Sequence, residues 1–231
     1  MPTLAGIPLF QDLAKPQREA IEKTCAWKTY EAQEQILDQQ ADGSDVCFVV
    51  TGRVRIVNYS LSGREVTLDD VEAGGYFGEL AALDGEPRSA SAMALVPTLI
   101  ASLPAPVFVE TLADHPDVAL ALMRRMAHIV RASTERIMDL STLGANNRVH
   151  AELLRQARKA VESDRIADGK PELRPIPIHG EIASRVSTTR ETVARVMNDL
   201  ARQGIVQRTR EALVIQDLNA LEELVEHVRG D

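Results

Sequence analysis

Cysteine is scarce in this 231-residue chain: Cys25 and Cys47 stand far apart, without CxxC spacing. A four-thiolate metal or iron–sulfur site is therefore out of reach within one chain. Cys47 lies in the apolar run Val46-Cys47-Phe48-Val49-Val50 and reads as a buried thiol. Histidine is absent from the first hundred residues of the chain; His115, His128, His150, His179 and His227 all come later. An N-terminal haem pocket would thus lack a proximal histidine, and neither metal nor prosthetic cofactor is expected. No apolar run approaches the roughly 18–20 residues of a membrane span. The opening MPTLAGIPLFQDL has no charged region followed by an apolar core, so a cytoplasmic protein is expected. Basic excess is missing too: 34 acidic against 26 Lys and Arg side chains leave a net charge of −8. The chain as a whole is no basic nucleic-acid binder, although a local basic face suffices for DNA. Repeats and low-complexity tracts are also absent, and the length suits one large domain or two ordinary ones.

What is present begins with residues 76–91, YFGELAALDGEPRSAS. Gly78 lets backbone approach a ligand without a Cβ in the way. The N–H groups that open a short helix there suit an anion. Arg88 offers a forked cation for a phosphate, and Glu79 an acceptor pair for a sugar hydroxyl. Together they suit a small sugar-phosphate. A nucleotide-hydrolysing enzyme would hold a phosphate in the same way. It would also need a metal cluster, a P-loop or a nucleophile–base pair, and the sequence has none in this half, so no enzyme is expected.

Around this stretch, residues 8–30 read as short helices. Strand-like runs follow at 34–37, 46–50, 52–59, 65–71 and 92–103, parted by turn chemistry at 41–44, Thr51-Gly52, Ser62-Gly63 and 73–75. Many short strands at this spacing predict an all-β barrel or sandwich. Arg53-Val54-Arg55-Ile56-Val57 alternates as a half-buried antiparallel strand should. After Pro104 and Pro106 the pattern turns helical, breaks at His115-Pro116, and runs on from 117 to about 143. In that run Leu122, Met126, Ile129, Ser133, Arg136 and Leu140 alternate four- and three-residue spacings, which predicts a two-stranded coiled-coil seam. Ser133 and Thr134 stand where a ligand at a subunit boundary would meet hydroxyls. Residues 148–163 form an amphipathic helix, and 173–178, with prolines at 175 and 177, suit edge strands only.

The second dense signal is residues 179–216. A helix over 180–186, a turn at Ser187, a helix over 189–203 capped by Ser187 or Thr188, and two short strands read as a winged helix-turn-helix. Arg190, Glu191 and Arg195 lie where side chains reach base edges, arginine toward guanine and glutamate toward cytosine. Arg185, Arg202, Arg208 and Arg210 suit phosphates, which position without specifying. DNA binding with steep salt dependence is expected.

Phe77-Gly78-Glu79-Leu80-Ala81 and Pro87-Arg88-Ser89-Ala90 resemble the phosphate-binding cassette of cyclic-nucleotide-binding domains. Thr189-Arg190-Glu191-Thr192-Val193-Ala194-Arg195 resembles the recognition helix of the Crp/Fnr family of bacterial transcription regulators, closest to its cyclic-AMP receptor branch. The order of parts is the same over essentially the whole chain. The resemblance implies an α+β protein: an N-terminal β-barrel of jelly-roll type (1–113), a dimerisation helix (114–143) and a C-terminal winged helix-turn-helix (144–231). It implies cyclic AMP or cyclic GMP as effector, held by Gly78, Glu79, Leu80, Arg88 and Ser89, with Ser133 and the partner chain's Thr134 near the base. It further implies a palindromic double-stranded DNA site related to GTGA, contacted by Arg185, Ser187, Thr189, Arg190, Glu191 and Arg195. A homodimer and RNA polymerase complete the implied partners. The alternative is a member of the same family that binds DNA without ligand or senses another small molecule. Two departures bear on this. Ile129 replaces an arginine that links helix and pocket in the cyclic-AMP receptor, and His179-Gly180 replaces a common Arg-Gln.

Overall fold

The structure, a computed structural model, describes residues 2–60, 63 and 65–229. It divides into two compact units, Met1–Val130 and Arg131–Asp231. In the first, a 3-10 turn (Pro8–Phe10) and helix α1 (Lys15–Thr24) precede eight strands: β1 (Ala26–Tyr30), β2 (Gln35–Leu37), β3 (Val46–Thr51), β4 (Arg53–Tyr59), β5 (Glu65–Glu72), β6 (Tyr76–Phe77), β7 (Ser91–Ala94) and β8 (Thr98–Leu103). They form two antiparallel four-stranded sheets, ordered β1-β8-β3-β6 and β2-β7-β4-β5. This is the expected jelly-roll, built as two sheets.

Strand β3 explains its own sequence. Cys47 and Val49 join Val54, Val71 and Ala92 of the opposite sheet in the inter-sheet core. Val46 and Phe48 face the other way, into a second core with Phe10, Phe108 and Leu122. Both faces are covered, so the strand reads as an unbroken apolar run rather than an alternation. Phe48 sits 5.0 Å from Phe10 and 5.8 Å from Tyr76, ring centroid to centroid, which anchors β6 in that second core.

Several expectations are corrected here. Residues 26–30 form a strand, not a helix: Cys25 ends α1 in extended conformation, and Ala26 to Tyr30 pair one by one with β8. The single run at 92–103 is two strands, β7 and β8. Arg55 does not face solvent; it is 5% exposed and grips Asp70, its cross-strand neighbour, through two bonds of 2.8 and 3.0 Å. The turn at Ser62-Gly63 lies partly outside the described residues.

Helix α3 (Ala105–Asp114) follows the sheets, and α4 (Pro116–Thr142) continues from the first unit into the second. Of the predicted seam, Ile129 (38%) and Leu140 (42%) are exposed, whereas two other members are engaged within the chain. Leu122 is buried in the second core, and Arg136 donates to the Arg185 carbonyl at 2.8 Å. Met123, Val130 and Ile137, seven residues apart, are instead about three-fifths exposed (59%, 63% and 62%).

The second unit contains α5 (Ala145–Glu162), β9 (Ile166–Ala167), β10 (Lys170–Leu173), α6 (His179–Arg185), α7 (Arg190–Arg202), β11 (Val206–Arg208), β12 (Leu213–Ile215) and α8 (Leu218–Arg229). Its sheet runs β11-β12-β10-β9. The expected edge strand at 173–178 stops at Leu173, because Pro175 and Pro177 offer no N–H to a ladder. One apolar core joins Leu153 and Ala157 of α5, Ile182 of α6, Val193, Val196 and Leu200 of α7 and Leu221 of α8.

Candidate functional site

Two groups of residues stand out, one in each unit. In the first, β6 delivers Gly78, whose φ of +82° suits glycine. A Cβ there would lie 2.6 Å from Arg88 Nη1 and 3.1 Å from the Asp45 carbonyl oxygen. Glycine is thus required both by backbone shape and by the approach of Arg88. The short helix α2 (Glu79–Asp84) follows, closed by Gly85 in the left-handed region.

Arg88 is 5% exposed. Its Nη1 donates to the Gly78 carbonyl at 2.9 Å and its Nη2 to the Asp45 carbonyl at 2.8 Å. Each terminal nitrogen carries a second N–H, so the fork retains donors for an anion. Glu79 is 7% exposed, and its Oε2 has no hydrogen-bond partner. Burial pushes its carboxyl above the usual range, and its own amide, then Arg125 and Arg88, pull it back. A buried carboxylate oxygen without a donor is costly, and a ligand hydroxyl would relieve it.

The other residues expected at this site fall differently. Leu80, at 45%, and Ser89 are exposed. Ser91 is buried, accepting from the Gln39 amide at 2.9 Å and donating to Asp38 at 3.3 Å. Ser133 and Thr134 are exposed residues of α4 in the second unit. Sequence reasoning missed Arg125 and Asp45. Arg125 Nη2 donates to the Tyr76 carbonyl at 2.8 Å, and its guanidinium carbon lies 4.3 Å from the Tyr76 ring centroid.

In the second unit, α6 and α7 are joined by a turn in which Ser187 adopts φ +51°. Arg148, also missed, holds that turn: it donates to the carbonyls of Val186 (2.8 Å), Ser187 (3.1 Å) and Leu143 (2.8 Å). The cap of α7 is Thr189, whose Oγ1 accepts the Thr192 amide at 3.2 Å, and not Ser187 or Thr188. Arg190, Glu191 and Arg195 are exposed along α7. The Glu191 carboxyl is held below its usual range by its own amide and the Thr189 hydroxyl.

Gly180 lies beside the Arg190 side chain. A Cβ on it would come within 2.8 Å of Arg190 Nε, so glycine lets the guanidinium lie against α6. Arg195 reaches Asn146 at 3.3 Å. Arg185, expected on phosphate, is turned inward instead, with Nε 3.8 Å from Glu152 and its side chain 16% exposed. Glu152 also binds Arg155 and Gln156, and Arg155 binds Asp139 near the end of α4. The Arg185 carboxylate partnership therefore belongs to the internal bracing of this unit.

Among the described residues no group of three or more His, Cys, Asp or Glu is placed to hold a metal ion. Among the same described residues no helix is long and apolar enough to cross a membrane.

A model of the cyclic nucleotide-binding domain matches residues 27–115, and one of the Crp-like helix-turn-helix domain matches residues 147–224. The cyclic AMP receptor protein of Thermus thermophilus is 31% identical, over 96% of this chain and 98% of its own. A solved CRP/FNR-family transcriptional regulator from the same organism is 30% identical at a TM-score of 0.63, covering 87% of this chain and 98% of that one. FixK2 from Bradyrhizobium japonicum shares the fold at a TM-score of 0.73 and 23% identity, over 87% and 96% of the two chains. The winged unit, the jelly-roll and the helix that continues between them thus make this chain a member of the Crp/Fnr family of transcription regulators, with a cyclic nucleotide-binding domain followed by a Crp-like helix-turn-helix.

Proposed function

We propose that this regulator is gated by a cyclic nucleotide, cyclic AMP or cyclic GMP, bound in the 76–91 pocket. The observation that carries the reading is the pair Arg88 and Glu79: a buried guanidinium fork ten residues from Gly78, beside a buried carboxylate with an unpartnered oxygen. Arg88 takes the cyclic phosphate, with Gly78, Leu80 and Ser89 around it, and Glu79 takes the ribose 2′-hydroxyl. A Thermus relative described as a cyclic AMP receptor protein, matched over nearly its full length, supports cyclic AMP.

The chain divides into a sensor (1–113), a dimerisation helix (114–143) and a DNA-binding domain (144–231). Two copies pair along α4, which brings Ser133 of one and Thr134 of the other toward the base. The dimer acts in the cytoplasm, reads palindromic double-stranded DNA through Arg190, Glu191 and Arg195, and meets RNA polymerase there. Thr189 and Ser187 shape the approach, while Arg185 acts indirectly through Glu152. Ligand moves the equilibrium only by its different affinity for the DNA-competent state, in which the two recognition helices match half-sites about 34–36 Å apart.

Titration calorimetry of the full chain with each cyclic nucleotide tests this. One of them is expected to release heat, to tighten palindrome binding, and to lose its heat in a folded Arg88→Ala variant. Silence from both nucleotides overturns the effector reading. Palindrome binding equally tight with and without nucleotide favours a regulator that needs no ligand.

A further inference from the structure

We propose that Arg125 is a positioning residue that carries the state of the 76–91 pocket into α4, in place of the polar link that Ile129 cannot make. The inference rests on the effector reading above. Three observations support it. First, Arg125 is an α4 side chain fastened to the pocket segment itself, through the 2.8 Å bond to the Tyr76 carbonyl and the ring contact at 4.3 Å. Second, the next turn of the helix offers no substitute, since Ile129 is apolar and 38% exposed. Third, the bonding around Arg125 is incomplete: its Nε is buried without a partner, as is Glu79 Oε2.

The geometry makes 76–78 a short strap with an arginine at each end. Arg125 holds the Tyr76 carbonyl from α4, and Arg88 holds the Gly78 carbonyl from the pocket. Glu79, next along the chain, feels both cations, Arg125 before Arg88. A phosphate on Arg88 adds negative charge, and a hydroxyl on Glu79 occupies its open oxygen. Both events change the field at Arg125 and the pull on the carbonyl it holds. A buried guanidinium with an unmet donor gains when an acceptor comes within reach, because a charge-assisted hydrogen bond is stronger than a neutral one. Its movement is a movement of α4, the helix whose later residue Arg136 bonds the Arg185 carbonyl in the DNA-binding unit.

The test compares full-length wild type with Arg125→Met, by calorimetry with cyclic AMP and cyclic GMP and by fluorescence anisotropy on a palindromic duplex. Arg125→Met is expected to keep effector-free DNA affinity. The ratio of effector-bound to effector-free affinity is expected to fall about tenfold, within the usual range of coupling between sites. Arg125→Lys, which keeps the charge and a donor, is expected to recover part of the ratio, a rescue that a purely structural contact would not show in coupling alone. An unchanged ratio in folded Arg125→Met overturns the proposal. Should that variant fail to fold, an unchanged ratio in folded Arg125→Gln, which loses the charge, overturns it equally. If wild type itself binds neither nucleotide, the effector reading fails first and this inference falls with it; wild type that binds and responds while Arg125→Met responds equally defeats the inference alone.

Discussion

Glu79 is the residue whose chemistry conflicts most with its surroundings. Its carboxyl is buried, its Oε2 lacks a donor, and burial lifts its pKa despite its own amide and two arginines. The unfolded chain therefore ionises Glu79 at lower pH than the folded chain does. Between those two pKa values the native state binds more protons, so stability falls as pH rises through that window. Glu79→Gln removes the titration. Urea unfolding is expected to find the variant more stable than wild type at neutral pH, with the gap closing once pH falls below the ordinary carboxylate value of about 4.3. A gap of constant size at all pH values would mean that charge is not its cause. The motif had already singled out Glu79 and Arg88. Their burial, and the two carbonyls that hold Arg88, were invisible because Asp45 lies 43 residues away in sequence.

At the scale of elements, the helix-turn-helix shows which parts were legible. Helix α7 was readable from its apolar spacing and from Gly204 after it, and both survive within a residue or two. The cap moved to Thr189 because Ser187 is committed to the turn in the left-handed region and gives its carbonyl to Arg148. Arg148 looked like one more polar residue on an amphipathic helix, yet it ties three carbonyls of two loops. Arg148→Ala is expected to destabilise the second unit by about 3 kcal/mol, since hydrogen bonds to charged groups contribute roughly 1.5–3 kcal/mol each and water replaces part of the loss. Chemical denaturation checks the value, and a change under about 0.5 kcal/mol, typical of a surface substitution, would deny Arg148 that role. Strand β1 was misread for a related reason. Its five residues have no clear alternation, and only pairing with β8 makes them a strand.

For the whole molecule, the exposed stripe Met123, Val130 and Ile137 on α4 is the feature that a single chain leaves uncovered. Apolar residues seven apart on one helix suit a second helix of the same kind. On the proposed reading that partner is a second copy. Ile137→Glu places a charge in such a seam and is expected to convert a dimer to monomers at micromolar concentration, with helix content unchanged. Sedimentation velocity measures this, and a variant that sediments as wild type would move the dimer contact elsewhere. The predicted seam shares this exposed surface at Ile129 and Leu140 but also ran through Leu122 and Arg136. Periodicity finds a helix face, but it cannot say that Leu122 is claimed by the sheet core or that Arg136 is claimed by the Arg185 carbonyl.

By itself, the sequence determined what depends on neighbours along the chain. The cassette at 76–91, the recognition helix at 190–202 and the apolar strand β3 all follow from contiguous residues and from the fixed periods of strand and helix. Tertiary structure alone decided which distant groups meet. Arg125 reaches Tyr76 across 49 residues, Arg148 reaches the turn across 38 and 39, and Arg185 turns in to Glu152 rather than out. A long arginine side chain has the same local pattern whether it faces water, a phosphate or a buried carbonyl. Only packing, which brings unmet acceptors within its reach, selects among them.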